Sequence, residues 1–406
     1  MEKKSSFYEI AKQAVLSPQE APAMVSKNSN TLKIGIPKEI SFQENRIGLT
    51  PQAVHLLVAN GHEVIKEAGA GKEAKFYDKD YEEAGAKISF DKKEVYKSDI
   101  IMKVSFPSLE EIEMIEEGKS IISALHLSVL TPEQIKLLMK KKVTAICYEN
   151  LKDEGGLYPV IQSMSEIAGS ASIQIASEYL SNINHGKGVM LGGISGIPPS
   201  EVVILGAGTV GLYATRAASG MAAEVKVFDN SLYKLRRLQN NLGARVYTSI
   251  MHPNILLRAL RTADVVIGAL RADEGRTPCV VTEEMVIEMK AGSVIVDVSI
   301  DQGGCFETSE VTNHTNPIFE KHGVIHYCVP NIPSRVARTA SYALSNIFAP
   351  ILVDIGDYGG LKNYLWDMEG VRHGVYIYKG NLTSKHIGER FQLPYKEIDL
   401  LIAAHI

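Results

Sequence analysis

Short, uninterrupted apolar runs alternate along the chain with stretches whose apolar residues recur at helical spacing, so the pattern predicts strand and helix in turn. In the first part, strands are expected at 32–36, 62–66, 99–104, 120–125 and 144–147. One intervening helix starts at Pro51 behind Thr50 and stops at Asn60-Gly61, and another starts at Pro132. A small-residue helix over 163–182 and a Gly- and Pro-rich loop over 192–199 lead into a second series, with strands at 202–205, 225–228, 265–267, 293–298 and 324–329. Residues 339–355 read as a helix that returns toward the first series, and a Tyr- and Gly-rich tail over 374–406 closes the chain. Two such series predict an α/β protein of two Rossmann-like domains. A doubly wound parallel sheet is expected over 161–339, with a discontinuous partner made of 1–160 and 340–406 and a ligand cleft between the two.

A length of 406 residues suits two domains, and 45% hydrophobic with 22% charged residues is ordinary for a globular protein. The net charge of −4, without a basic stripe, argues against a nucleic-acid partner. No apolar run approaches the length of a membrane span, and the N-terminus lacks the apolar centre of a signal peptide, so no membrane partner and a cytoplasmic location are expected. Cys147, Cys279, Cys305 and Cys328 lie far apart with no metal-ligand spacing, which predicts buried free thiols and no metal. The first 30 residues, rich in charge and Ser, read as a surface arm.

The second series carries the clearest chemistry. Its first strand, Val202-Val203-Ile204-Leu205, turns on Gly206-x-Gly208-x-x-Gly211, continues as an Ala-rich helix, and is followed by a strand that ends on Asp229. Gly206 permits a tight turn, Gly208 a close backbone approach to a pyrophosphate, and Gly211 close helix packing, with the amides of Thr209 and Val210 at the helix start. Asp229, 18 residues past Gly211, suits a ribose 2′-hydroxyl and would repel a 2′-phosphate, so the expected cofactor is NAD. Four further residues follow predicted strands and so face the cleft: Arg46, His126, Asp301 and Asn331. Each has a plainer alternative: a solvated arginine, a core histidine, or a turn-capping asparagine. Asp301, before Gly303-Gly304, is the hardest to explain as core.

These segments together resemble the family of L-alanine dehydrogenases and the NAD-binding subunit of proton-translocating transhydrogenase. The likeness rests on IGIPKE (34–39), RIGLTP (46–51), GHEV (61–64), LHL (125–127), MSEIAG (164–169), ILGAGTVG (204–211), DVSIDQGGCFE (297–307) and HYCVPNIP (326–333). The resemblance implies that Arg46 binds the carboxylate of a small amino acid or 2-oxo acid, that His126 is the acid/base, and that Asp301 handles protons beside the nicotinamide. It places Asn331 with the cofactor and implies a homo-oligomer, commonly a hexamer. The family usually has a second cationic donor two residues after the position of Lys103, but here that position is Ser105. Lys103 lies on the same strand face, although the family keeps a lysine there as well. Losing a charge-assisted bond would weaken carboxylate binding by about 1.5–3 kcal/mol. Two other readings stay open: a soluble transhydrogenase-type subunit, which the segment 333–337 resembles, and an NAD-binding regulator with altered catalysis.

Overall fold

The computed structural model describes residues 30–125, 130–272 and 275–403. The predicted amino-terminal arm and His126 lie outside these residues. The strands form two sheets. The first holds β1 (Lys33–Ile36), β2 (Glu63–Glu67), β3 (Lys87–Ser89), β4 (Ile100–Met102), β5 (Ser120–Ser123) and β6 (Thr144–Cys147). The second holds β7 (Glu201–Leu205), β8 (Glu224–Phe228), β9 (Tyr247–Ser249), β10 (Val265–Gly268), β11 (Val294–Asp297), β12 (Ile318–Lys321) and β13 (Val324–Tyr327). Late in the chain, β14 (Val375–Tyr378) and β15 (Asn381–Leu382) extend the first sheet.

The spatial orders are β15-β14-β6-β5-β4-β1-β2-β3 and β12-β13-β11-β10-β7-β8-β9. Both contain the doubly wound order, in which the chain leaves the central strand in one direction and then restarts on its other side. The switch points therefore fall between β1 and β4 and between β7 and β10, where loops part and leave a crevice. Parallel pairing explains the apolar runs: β4, β5, β6, β10, β11 and β13 are buried along their whole length because helices cover both faces.

Two 21-residue helices tie the lobes together, α1 (Pro159–Tyr179) and α2 (Ala337–Asp357). The first puts Val160 into the core of the first sheet and Ala168, Ile175 and Tyr179 into that of the second. At Gly169 an added Cβ would stand 2.4 Å from the Val210 carbonyl oxygen, so the glycine sets how closely α1 approaches the helix after the glycine turn. In α2, Leu344, Phe348, Leu352 and Ile355 form one buried stripe at helical spacing.

Two expectations are corrected. A segment ending in α2, 332–357, is long and apolar enough to cross a membrane by length and composition, but its apolar face belongs to the protein core. Cys279 is exposed, whereas Cys147, Cys305 and Cys328 are the buried thiols, and all four are unpaired. The antiparallel strands β12, β14 and β15 were not anticipated. Each has four residues or fewer, which leaves little hydrophobic pattern to read; β12 and β15 pair on one side only, whereas β14 pairs with both β15 and β6.

Candidate functional site

At the β7–β10 switch point Gly206 has φ +115°, and an added Cβ there would meet the Ala269 carbonyl oxygen at 2.4 Å. A Cβ on Gly211 would lie 1.9 Å from the carbonyl oxygen of Gly206. The fold itself requires both glycines. Gly208 differs: its φ is −74°, and an added Cβ would meet nothing within 4 Å. It stands just before the 12-residue helix Thr209–Gly220, so the backbone amides of Thr209 and Val210 open the helix beside free space. Asp229, buried at the end of β8, accepts the backbone N–H groups of Ala207 (2.8 Å) and Ser231 (2.7 Å). Its oxygens keep further lone pairs for a ribose hydroxyl. An open cradle at a helix N-terminus with a fixed carboxylate beside it fits a dinucleotide.

The β1–β4 switch point carries the other half. Arg46, on the loop after β1, is buried against Glu44, with Nε to Oε1 at 2.7 Å and Nη2 to Oε2 at 2.6 Å. Burial opposes both charges, yet each outweighs that penalty for the other. The Glu44 carboxyl is held below its ordinary pKa and the Arg46 guanidinium above its own. The remaining Arg46 nitrogen, Nη1, lies 3.5 Å from Sδ of Met164 on α1.

Just past β4, Lys103 is fully buried. Its Nζ lies 2.7 Å from Glu39 Oε2 and 3.3 Å from Glu111 Oε1. Burial would lower its pKa, but the two glutamates more than compensate and raise it. The Ser105 hydroxyl donates to the same Glu39 oxygen as Lys103, and Glu39 also accepts the backbone N–H groups of Val104 (2.6 Å) and Ser105 (3.2 Å). Lys103 and Ser105 therefore both point at Glu39 in this arrangement, because its carboxylate gathers four donors at the strand end.

The lobes meet at Asn331, in the left-handed region with φ 56°. Its side-chain Nδ2 donates to Glu44 Oε2 (3.1 Å) and its backbone N–H to Asp301 Oδ1 (3.2 Å). The structure thus joins Arg46, Asn331 and Asp301 in one hydrogen-bonded line, with Glu44 as the link. His126 lies outside the described residues. Its neighbour Leu125 donates its backbone N–H to Glu149 Oε2 at 3.0 Å.

Four buried carboxylates of this region were not anticipated: Glu39, Glu44, Glu111 and Asp297. Glu44 sits two residues before Arg46, a spacing that a loop can fold into an ion pair but that carries no periodic signal. Asp297 accepts from Ser299 N (3.0 Å), Cys305 N (3.1 Å) and Ser309 Oγ (2.6 Å), and burial pushes its carboxyl pKa up. Gly268 and Gly304 pack on its two oxygens, where a Cβ would stand at 2.7 and 2.6 Å, so Asp297 shapes the loop that presents Asp301. Among the described residues no group of His, Cys, Asp and Glu could hold a metal ion.

Two family models match, described as the alanine dehydrogenase/PNT N-terminal domain over residues 35–168 and the corresponding C-terminal domain over 172–385. Alanine dehydrogenase 2 of Staphylococcus aureus (strain USA300) is 38% identical over 370 residues, covering 91% of this chain and 99% of that protein. A solved L-alanine dehydrogenase superposes with TM-score 0.83 at 36% identity, covering 89% of this chain and 99% of the other. A transhydrogenase structure from Sinorhizobium meliloti shares the fold, with TM-score 0.76 at 23% identity over 87% of this chain and 99% of that one. Matched in both lobes and over nearly its whole described length, the chain belongs to the alanine dehydrogenase/PNT family.

Proposed function

We propose that the protein catalyses the reversible NAD-dependent oxidative deamination of L-alanine, in which alanine, NAD and water give pyruvate, ammonium, NADH and a proton. The observation that carries the reading is the meeting of Arg46 with Asn331 and Asp301 across the cleft, through Glu44. It sets a carboxylate-binding cation of one lobe beside the loops that follow the dinucleotide-type strands of the other. The relatives' names supply alanine as the substrate.

NAD, when bound, accepts the hydride of the α-carbon. Gly206, Gly208, Thr209, Val210, Gly211 and Asp229 would hold its pyrophosphate and ribose, with Asn331 nearby. Arg46 binds and orients the substrate carboxylate, which fixes the α-carbon relative to the second lobe. His126 takes a proton from the amino group and activates the water that replaces nitrogen by oxygen. Asp301 assists proton handling at the same face.

A steady-state assay of NADH formation with L-alanine and other small amino acids tests the proposal. Turnover with alanine supports it, and none with any of them ends it. Ser105 favours one competing reading, an NAD-binding regulator, because its hydroxyl faces Glu39 where a family lysine would add a charge. NADH binding without turnover, unchanged in His126→Ala, would favour that reading. The family likeness also motivates a homo-oligomer in the cytoplasm, which light scattering on the purified protein addresses for assembly.

A further inference from the structure

An arginine can take a carboxylate in two-point fashion along its side edge, Nε with Nη2, or along its end edge, Nη1 with Nη2. Glu44 takes the side edge of Arg46, at 2.7 and 2.6 Å, and its Oε1 also accepts the Arg46 backbone N–H at 3.1 Å. The end edge meets the Met164 thioether, a weak acceptor that a substrate carboxylate would readily outcompete.

Glu44 is itself held from the other lobe. Asn331 Nδ2 donates to the oxygen that binds Nη2. The loop bearing Glu44 is clipped beside it: Ser334 Oγ donates to the Gln43 carbonyl (2.7 Å) and accepts from Asn45 N (2.9 Å), and His314 N donates to Gln43 Oε1 (2.7 Å). The carboxylate clamp begins in the first sheet but is fastened to the second.

We propose that Glu44 is a positioning residue: it locks the side edge of Arg46 so that the end edge receives the substrate carboxylate, and through Asn331 it ties that setting to the dinucleotide-binding lobe. The proposal rests on the functional reading above. Glu44 itself does not touch the substrate. Its loss therefore weakens substrate capture without disabling the hydride step.

The test is steady-state reduction of pyruvate with ammonium and NADH by the full-length protein, beside a fluorescence titration of NADH. Glu44→Gln should raise the KM for pyruvate about tenfold or more while kcat and the Kd for NADH stay within about threefold. Glu44→Asp should recover part of the loss. Asn331→Ala should raise the pyruvate KM in the same direction, and the double variant should be no worse than Glu44→Gln alone, because both act through one contact. A pyruvate KM within about twofold of wild type in Glu44→Gln, or a parallel rise in pyruvate KM and NADH Kd such as general loosening produces, overturns the proposal. If Glu44→Gln fails to fold, the same split is read in Glu44→Asp, whose shortened carboxylate should raise the pyruvate KM by a smaller factor at unchanged kcat and NADH Kd. Wild-type protein that reduces no 2-oxo acid would sink the functional reading and this proposal with it. Wild-type turnover with an unmoved Glu44→Gln would sink this proposal alone.

Discussion

The three motif glycines look alike in the sequence but not in the structure. Gly206 and Gly211 are needed for close backbone approach within the protein, whereas Gly208 faces free space at an ordinary φ. Gly211→Ala is expected to destabilise the fold, and Gly208→Ala to keep its melting temperature yet weaken NADH binding by on the order of tenfold, about 1.4 kcal/mol. A thermal melt and an NADH titration on each variant separate the two roles, and a Gly208→Ala protein that binds NADH normally would contradict the cradle. The buried Glu44–Arg46 pair makes a second prediction. Removing one partner of a buried pair typically costs about 3–5 kcal/mol. Because the folded Glu44 carboxyl titrates below the ordinary carboxyl value of about 4.5, its contribution is fully present above about pH 4.5. It is lost as pH falls through the lower folded value. The melting-temperature gap between wild type and Glu44→Gln should thus be widest above that pH and shrink in more acid solution. A gap independent of pH would contradict the assignment.

At the scale of elements, the inner parallel strands were legible because they are largely buried on both faces and read as apolar runs, whereas the parallel edge strands β3 and β9, three partly exposed residues each, were not. The glycine turn was legible because its order of strand, glycines, helix, strand and acid is long and specific. The antiparallel strands β12, β14 and β15 were not, since a strand of two to four residues leaves no period to count. The candidate site was legible in Asp229, Asp301 and Asn331, at or just past strand ends, and in Arg46, in the loop between β1 and the helix that starts at Pro51, where doubly wound sheets open. Glu39, Glu44 and Asp297 escaped notice because a buried carboxylate is recognised by its partners, and those come from distant strands and loops. The end of β4 carries its own prediction. Ser105 gives its hydroxyl to Glu39, and Lys103 is already shared between Glu39 and Glu111. Ser105→Lys should therefore add a charged donor at the strand end and lower the pyruvate KM by about tenfold or more, the effect of one charge-assisted hydrogen bond. An unchanged KM would show that this position does not face the substrate. At the end of β8, Asp229 should make NADH the preferred cofactor over NADPH, and comparing the two in the same assay checks it. Equal use of both would contradict a carboxylate at the ribose.

Across the whole molecule, two sheets of like order meet through the loop after β1 and the loops after β11 and β13, and α1 enters the cores of both lobes while α2 packs in the first. Chemistry is then confined to the line where loops of the two sheets touch. That line runs from Asp301 through Asn331 and Glu44 to Arg46. The central claim is that a substrate carboxylate is gripped by Arg46 beside a nicotinamide delivered from the second sheet. A crystal structure of the protein with NADH and pyruvate tests it most directly. The account predicts the pyruvate carboxylate on Nη1 and Nη2 of Arg46, with the nicotinamide ring against the loop of Asp301. Pyruvate bound elsewhere, with Arg46 still facing Met164, would contradict it.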